Sequence, residues 1–126
     1  MNDMIIGSFY LQLTINGNLT GEFVNQHSQR AATESADRRS GAIDRFVGTY
    51  NSTWFDGQAQ NMTLTINEKR DNAGDILLNI FRLRWSDGNN RTVFVGKGFL
   101  ANNMLLGVYA DNVLDNHIGN LLTREN

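Results

Sequence analysis

The sequence contains no cysteine and no proline, and its only histidines are His27 and His117. The lack of cysteine excludes disulfides and thiolate chemistry. Two histidines this far apart give little basis for a metal site. The formal net charge is only −2, and the charged residues are interspersed, so no basic cluster indicates nucleic acid or a membrane surface. We therefore expect no metal, no cofactor, no nucleic-acid partner and no membrane partner.

Long apolar runs are missing as well. Stretches such as "MIIG" and "DILLNIF" are far shorter than the roughly 20 residues of a membrane-spanning helix. The start, "MNDMIIGSFYLQ", has neither the basic region nor the apolar core of a signal peptide. We expect a cytoplasmic protein or a secreted protein in its mature form. A length of 126 residues, 40% of them apolar, predicts one domain over residues 1–126.

Strand-like alternation of apolar and polar residues is the dominant pattern. In "IIGSFYLQLTI", residues 5–15, apolar side chains and a glycine occupy one face, and "NGN" then predicts a tight turn into a second strand. Similar patterns follow in "RFVGTYNSTWF", "NMTLTIN", "DILLNIFRLRW", "RTVFVGKGFL", "MLLGVYA" and, as a last short strand, "HIGNLLTR". About eight sequential strands predict an eight-stranded antiparallel up-and-down β-barrel, with a β-sandwich as the alternative.

Residues 28–44, "SQRAATESADRRSGAID", interrupt this pattern. They are polar and charged, and they show no strand alternation. The pattern predicts a long loop or a short solvent-exposed helix. Loops of this length often form lids or binding loops, and a solvated connector is the simpler interpretation.

Several short motifs resemble the calycin barrels. "FVGTYNST" is similar to the Gly-x-aromatic start of the first calycin strand, and "NGNLTGEF", "WSDGNNRTVFVGKGF" and "IGNLLTR" resemble segments of the avidin and streptavidin group. The resemblance implies a barrel that binds a small ligand, biotin or a related molecule, and that assembles into homo-oligomers. Phe23 stands where the group has a tyrosine that binds the ureido group, and the tryptophan that precedes the last strand is missing.

The resemblance also implies which residues contact the ligand. Trp85 corresponds to a tryptophan that stacks on the ligand, and Phe94 to an apolar wall. Asn90 and Thr92 correspond to polar contacts. Tyr50 and Tyr109 stand where the group has wall tryptophans.

The alternation in "FVGTYNSTWF" places Tyr50, Ser52 and Trp54 on one face of a strand. Flat aromatic walls with a few hydroxyls are typical of ligand pockets, although aromatic residues also fill barrel cores. A buried Ser52 requires a hydrogen-bond partner, because an unpaired buried hydroxyl costs roughly 1–3 kcal/mol.

No catalytic motif is present, so we predict no catalytic residues and a non-enzymatic ligand-binding barrel. One alternative is a lipocalin-like carrier of an apolar ligand. Another is a filled barrel that binds a protein or glycan through its surface and the loop at 28–44. A barrel isomerase or cyclase that uses an internal tyrosine or glutamate is a third alternative.

Overall fold

A computed structural model describes residues 4–55 and 58–123 of the chain. The elements are β1 (Ile6–Leu13), β2 (Leu19–Asn25), β3 (Ala32–Ser40), β4 (Gly48–Phe55), β5 (Ala59–Arg70), β6 (Ile76–Ser86), β7 (Thr92–Ala101), β8 (Met104–Asp111) and α1 (Asn112–His117). Each strand pairs antiparallel with the next, and β1 pairs with β8, so the sheet closes. The predicted eight-stranded antiparallel up-and-down barrel is confirmed, and the β-sandwich alternative is wrong.

Asparagine and aspartate side chains stabilise the tight turns between the strands. The β7–β8 hairpin turns at Asn102 and Asn103, both of which have positive φ, as the twist of a two-residue hairpin requires. In the five-residue turns after β5 and β6, the carboxylates of Asp71 and Asp87 each accept two backbone N–H bonds. We call the end of the barrel with the turns 14–18, 41–47, 71–75 and 102–103 the lower end, and the opposite end the upper end.

The inward-facing residues divide the barrel into two parts. Aliphatic side chains fill the middle and are almost completely buried: Leu11, Leu19, Leu64, Ile66, Leu83 and Leu105. Phe46 and Phe81 are in ring contact toward the lower end, where the hydroxyl of Tyr50 donates to the carbonyl of Phe46 at 2.6 Å. Side chains therefore meet across the barrel at this level, and the lower end has a depression of its own, lined by Leu13, Phe46, Phe81 and Leu100 among others.

Residues 28–44 are not the loop or helix that their composition predicts, because β3 occupies their centre. The alternation of apolar and polar residues fails there because β3 turns Glu34, Ala36 and Arg38 toward the interior, so that two of its inward side chains are ionisable rather than apolar. The guanidinium of Arg38 lies 4.7 Å from the ring centre of Tyr50 and donates to the carbonyls of Gly17, Ser40, Arg45 and Val47. Arg38 thereby ties the loop 41–47 to the first turn.

The predicted strand at "HIGNLLTR" is wrong for the residues that the structure describes, 117–123; Arg124 lies outside them. All eight positions in the closed sheet are taken by β1–β8, so this segment has no strand to pair with. It follows helix α1 as a series of turns instead. The buried carboxylate of Asp115 holds it by accepting bonds from the backbone N–H of Leu122 and the hydroxyl of Thr123.

Candidate functional site

A cavity of about 60 Å³ lies inside the upper end of the barrel. Six aromatic side chains form most of its wall: Phe9, Phe23, Trp54, Trp85, Phe94 and Tyr109. Ile5, Asn25 and Glu34 complete the lining. One water molecule requires about 10–15 Å³ on a comparable measure, so the cavity has room for a few waters or for the head group of a small organic molecule.

Among the described residues that line the cavity, Glu34 alone carries a carboxyl group, and it is only 3% exposed. Its Oε2 accepts a hydrogen bond from the hydroxyl of Ser52 at 2.5 Å and one from the indole N–H of Trp85 at 2.8 Å. Burial raises the pKa of Glu34, although these two donors act in the opposite direction. The cavity therefore contains a group that holds a proton at a higher pH than an exposed glutamate does.

Four of the aromatic rings contact one another in a closed circuit, which we call the aromatic collar: Phe23, Trp54, Phe94 and Tyr109. The distances between ring centres are 6.1 Å for Phe23 and Trp54, 6.2 Å for Trp54 and Phe94, 5.8 Å for Phe94 and Tyr109, and 6.0 Å for Tyr109 and Phe23. All four contacts are edge-to-face, the favoured geometry for aromatic pairs. The collar is a preformed apolar ring contributed by four strands.

The mouth of the cavity is held by hydrogen bonds to the start of β1. Asp111 caps helix α1 through the N–H of Leu114, and its other oxygen accepts the N–H of Ile5 at 2.5 Å. The amide of Asn25 donates to the Tyr109 hydroxyl at 3.2 Å. These contacts fix Ile5 and Tyr109, which both line the cavity, in defined positions.

The structure brings together most of the site residues predicted from the sequence. Trp54, Trp85, Phe94 and Tyr109 line the cavity. Ser52 is buried and reaches the cavity through Glu34, which is the hydrogen-bond partner that its burial requires. Tyr50 also faces inward, but its hydroxyl is directed to Phe46 near the lower end.

Asn90 and Thr92 are not part of this cavity. Asn90 is exposed in the β6–β7 turn, where its carbonyl accepts a bond from Arg84 at 3.0 Å. The hydroxyl of Thr92 accepts another bond from Arg84, in a groove on the outer side of the sheet. A register shift between β6 and β7 at Ser86 accompanies this placement.

Sequence reasoning missed Glu34, together with Phe9, Phe23 and Asn25, as lining residues. A signal for Glu34 was present, because Ala32, Glu34 and Ala36 recur at every second position and share one face of a strand. This alternation is hard to recognise because residues 28–44 are mostly polar and charged. Phe23 was noticed as an aromatic residue, but only the closure of the barrel places it beside Tyr109.

The outer surface carries an apolar patch, which we define by Ile6, Val24, Phe99, Leu106 and Val108. Val24 and Val108 flank Ser8 in register on β1, and Leu106 is paired with Phe99. Four of these side chains are more than one-third exposed, and Phe99 is 53% exposed.

Within residues 4–55 and 58–123, no group of three or more histidine, cysteine, aspartate or glutamate side chains is arranged to hold a metal ion. Over the same residues, no helix has the length and apolar character needed to cross a membrane. No protein-family model matches the chain, and neither the curated proteins nor the solved structures include a match. The avidin-like resemblance therefore stays a prediction from short motifs.

Proposed function

We propose that the chain is a non-enzymatic small-ligand-binding barrel of the calycin type, which is avidin-like in holding its ligand inside the barrel. One observation carries this proposal: the described residues at the upper end enclose a cavity with six aromatic side chains and one carboxyl group, that of Glu34, in its lining. Ligand sites are commonly apolar clefts with a few directed polar groups. The small volume indicates that a head group enters the cavity and that the rest of a larger ligand lies at the mouth.

A thermal-shift screen with biotin, fatty acids, retinoids and simple sugars tests this proposal. A ligand that binds the folded barrel raises its Tm through mass action. Trp54→Ala removes part of the collar and is expected to abolish the shift. Phe55→Ala is the matched control, because Phe55 is the next aromatic on the same strand and is 66% exposed on the outer side.

The outcomes separate the ligand classes. A shift with biotin supports the avidin-like assignment, and a shift with fatty acids or retinoids alone supports a lipocalin-like carrier. If no ligand raises the Tm, or if Trp54→Ala keeps the full shift, the cavity is not the binding site. The filled-barrel alternative, with recognition of a protein or glycan at the surface, then becomes the better proposal.

The second candidate function is that of a barrel enzyme of the isomerase or cyclase type, and Glu34 is the observation that favours it. A buried carboxyl with a raised pKa is suited to general acid–base catalysis. Each ligand found in the screen is incubated with the protein and analysed for an isomeric product. Product formation by the wild type and its loss in Glu34→Gln, with binding retained, would move the assignment to this class.

We also propose that copies of the chain associate through the apolar patch defined above, as a homo-oligomer. Exposed contiguous apolar side chains on a sheet are typical of such interfaces. Sedimentation velocity at micromolar concentration is expected to show an oligomer that Phe99→Glu dissociates. Leu78→Glu, a change at an exposed position outside the patch, is expected to leave it intact. A wild-type monomer would refute this proposal.

A further inference from the structure

The carboxyl group of Glu34 is buried, and no positively charged side chain of residues 4–55 and 58–123 is bonded to it. Both of its hydrogen bonds come from uncharged donors, Ser52 and Trp85, and both go to Oε2. It forms no ion pair with any residue in the described part of the chain. Arg38 lies on the same strand, but its guanidinium is bound to backbone carbonyls at the lower end. Buried charges in proteins are normally paired. In the empty cavity burial favours the protonated form of Glu34, so a stable carboxylate there requires a positive group supplied from outside the described residues.

The surrounding wall is suited to a positive charge on an organic group. The aromatic collar is contributed by four strands, and Glu34 is in register with Trp54. Trp85 contacts both Phe9 and Tyr109, with ring centres at 5.9 and 6.2 Å. Aromatic faces attract ammonium groups within about 6 Å of the ring centre, most strongly when water is excluded. Among the described residues of this cavity, a cation bound to Glu34 therefore lies beside aromatic rings, with no second carboxyl group in the lining.

We infer that the ligand class of this cavity is an organic ammonium ion, whose charged head group sits inside the collar and binds the carboxyl group of Glu34. This inference rests on the proposed ligand-binding function and narrows it. The volume of about 60 Å³ fits a primary ammonium head with a short alkyl chain. Oε2 already accepts two bonds, so Oε1 is the oxygen available to an N–H donor.

Binding is coupled to the loss of a proton from Glu34. Burial raises the pKa of this carboxyl in the empty cavity, and an ammonium ion beside it favours the ionised form. Among the side chains that face Glu34 from the other strands, Tyr109 on β8 is titratable. Phe9 on β1, Phe23 on β2, Ser52 on β4 and Trp85 on β6 do not titrate in the range from pH 5 to 8. The affinity for an amine is therefore expected to rise with pH, by up to about tenfold per unit, until Glu34 is ionised in the free protein.

The test compares propylammonium with propan-1-ol, which have the same number of non-hydrogen atoms. Trp54 and Trp85 are the only tryptophans in the chain, and both line the cavity. Their indole N–H signals in a ¹H–¹⁵N NMR titration at constant ionic strength therefore report directly on the site. The wild type is expected to bind the ammonium ion at least about tenfold more tightly than the alcohol, since hydrogen bonds to charged groups are the stronger ones.

Glu34→Gln keeps an oxygen for Ser52 and Trp85 but removes the charge. It is expected to bring the ratio of the two affinities close to one. Glu22→Gln is the matched control, because Glu22 lies on the outer face of the neighbouring strand β2, where it accepts a bond from Tyr10. This variant is expected to retain the preference of the wild type.

Four results would contradict the inference. If the alcohol binds as tightly as the ammonium ion, or if Glu34→Gln keeps the preference, the ligand class is wrong and the proposed binding function stands. If neither compound nor any ligand of the thermal screen moves an indole signal, the binding function itself is refuted. Should Glu34→Gln fail to fold, the wild type alone decides. Because the pKa of Glu34 lies above 4.5 in the empty cavity, an affinity for propylammonium that is constant from pH 4 to 8 contradicts the coupling to Glu34.

Discussion

Glu34 makes the stability of this barrel depend on pH in the direction opposite to that of an ion-paired carboxylate. Burial raises its pKa above the ordinary value of 4.5 in the folded chain. Between 4.5 and the folded-state pKa, the unfolded chain has lost the proton and the folded barrel keeps it. Unfolding then releases a proton, so the free energy of unfolding falls as the pH rises through this window.

The expected magnitude follows from one proton. A difference of one bound proton between the two states changes the free energy of unfolding by about 1.4 kcal/mol per pH unit. Glu34→Gln removes this titration and retains an acceptor for Ser52 and Trp85. The difference in stability between the variant and the wild type is therefore expected to shift in favour of the variant as pH rises, by up to about 1.4 kcal/mol per unit.

Urea denaturation at intervals between pH 4 and 8, at constant ionic strength, measures this difference. Glu22→Gln serves as the control for the loss of a carboxyl group on the outer face of the barrel, and the slope of Glu34→Gln is compared with that of this variant. A difference between Glu34→Gln and the wild type that stays constant from pH 4.5 to 8 would refute the reasoning. So would a slope that favours the wild type at high pH, because it would mean that the folded state stabilises the ionised carboxylate.

Two further predictions concern the barrel itself, and both are measured by urea denaturation. Arg38→Met removes the hydrogen bonds to four backbone carbonyls and is expected to lower the free energy of unfolding by roughly 2–4 kcal/mol. The same change at the exposed neighbour Arg39 is expected to cost less than about 0.5 kcal/mol, and equal losses would contradict the role of Arg38. At Gly107, a Cβ would lie 2.2 Å from the carbonyl oxygen of Lys97, so Gly107→Ala is expected to cost roughly 1–3 kcal/mol or more. Gly88→Ala, with no atom within 4 Å of the added carbon, is expected to be nearly neutral, and a similar loss in both variants would show that close packing is not the cause.

Local sequence patterns predicted seven of the eight strands and the main turns. The alternation around Phe9 and Tyr50 has period two because successive side chains of a strand point to opposite faces. The asparagine and glycine residues at the turns adopt positive φ, which most other residues avoid. The predicted inward face of Tyr50, Ser52 and Trp54 needs only these local rules, apart from the choice of which face is the inner one.

The remaining strand and the composition of the cavity depend on contacts between distant parts of the chain. β3 carries Glu34 and Arg38 on its inner face, so it has no apolar alternation, and its place in the sheet is fixed by pairing with β2 and β4. The last segment has apolar residues in a strand-like order but finds no open edge, since β1 and β8 are already paired. In both cases, the pairing of the other strands determines whether the segment joins the sheet.

In the cavity too, local sequence patterns predict some features, and others depend on contacts between distant parts of the chain. The sequence by itself determined that aromatic residues and a serine share strand faces. Only the tertiary structure brings Trp85 to Glu34 across 51 residues of chain and closes the collar from four strands. The physical reason is that a buried carboxyl is tolerated where donors such as Ser52 and Trp85 reach it. Those donors come from other strands, and a pattern read along one strand does not contain them.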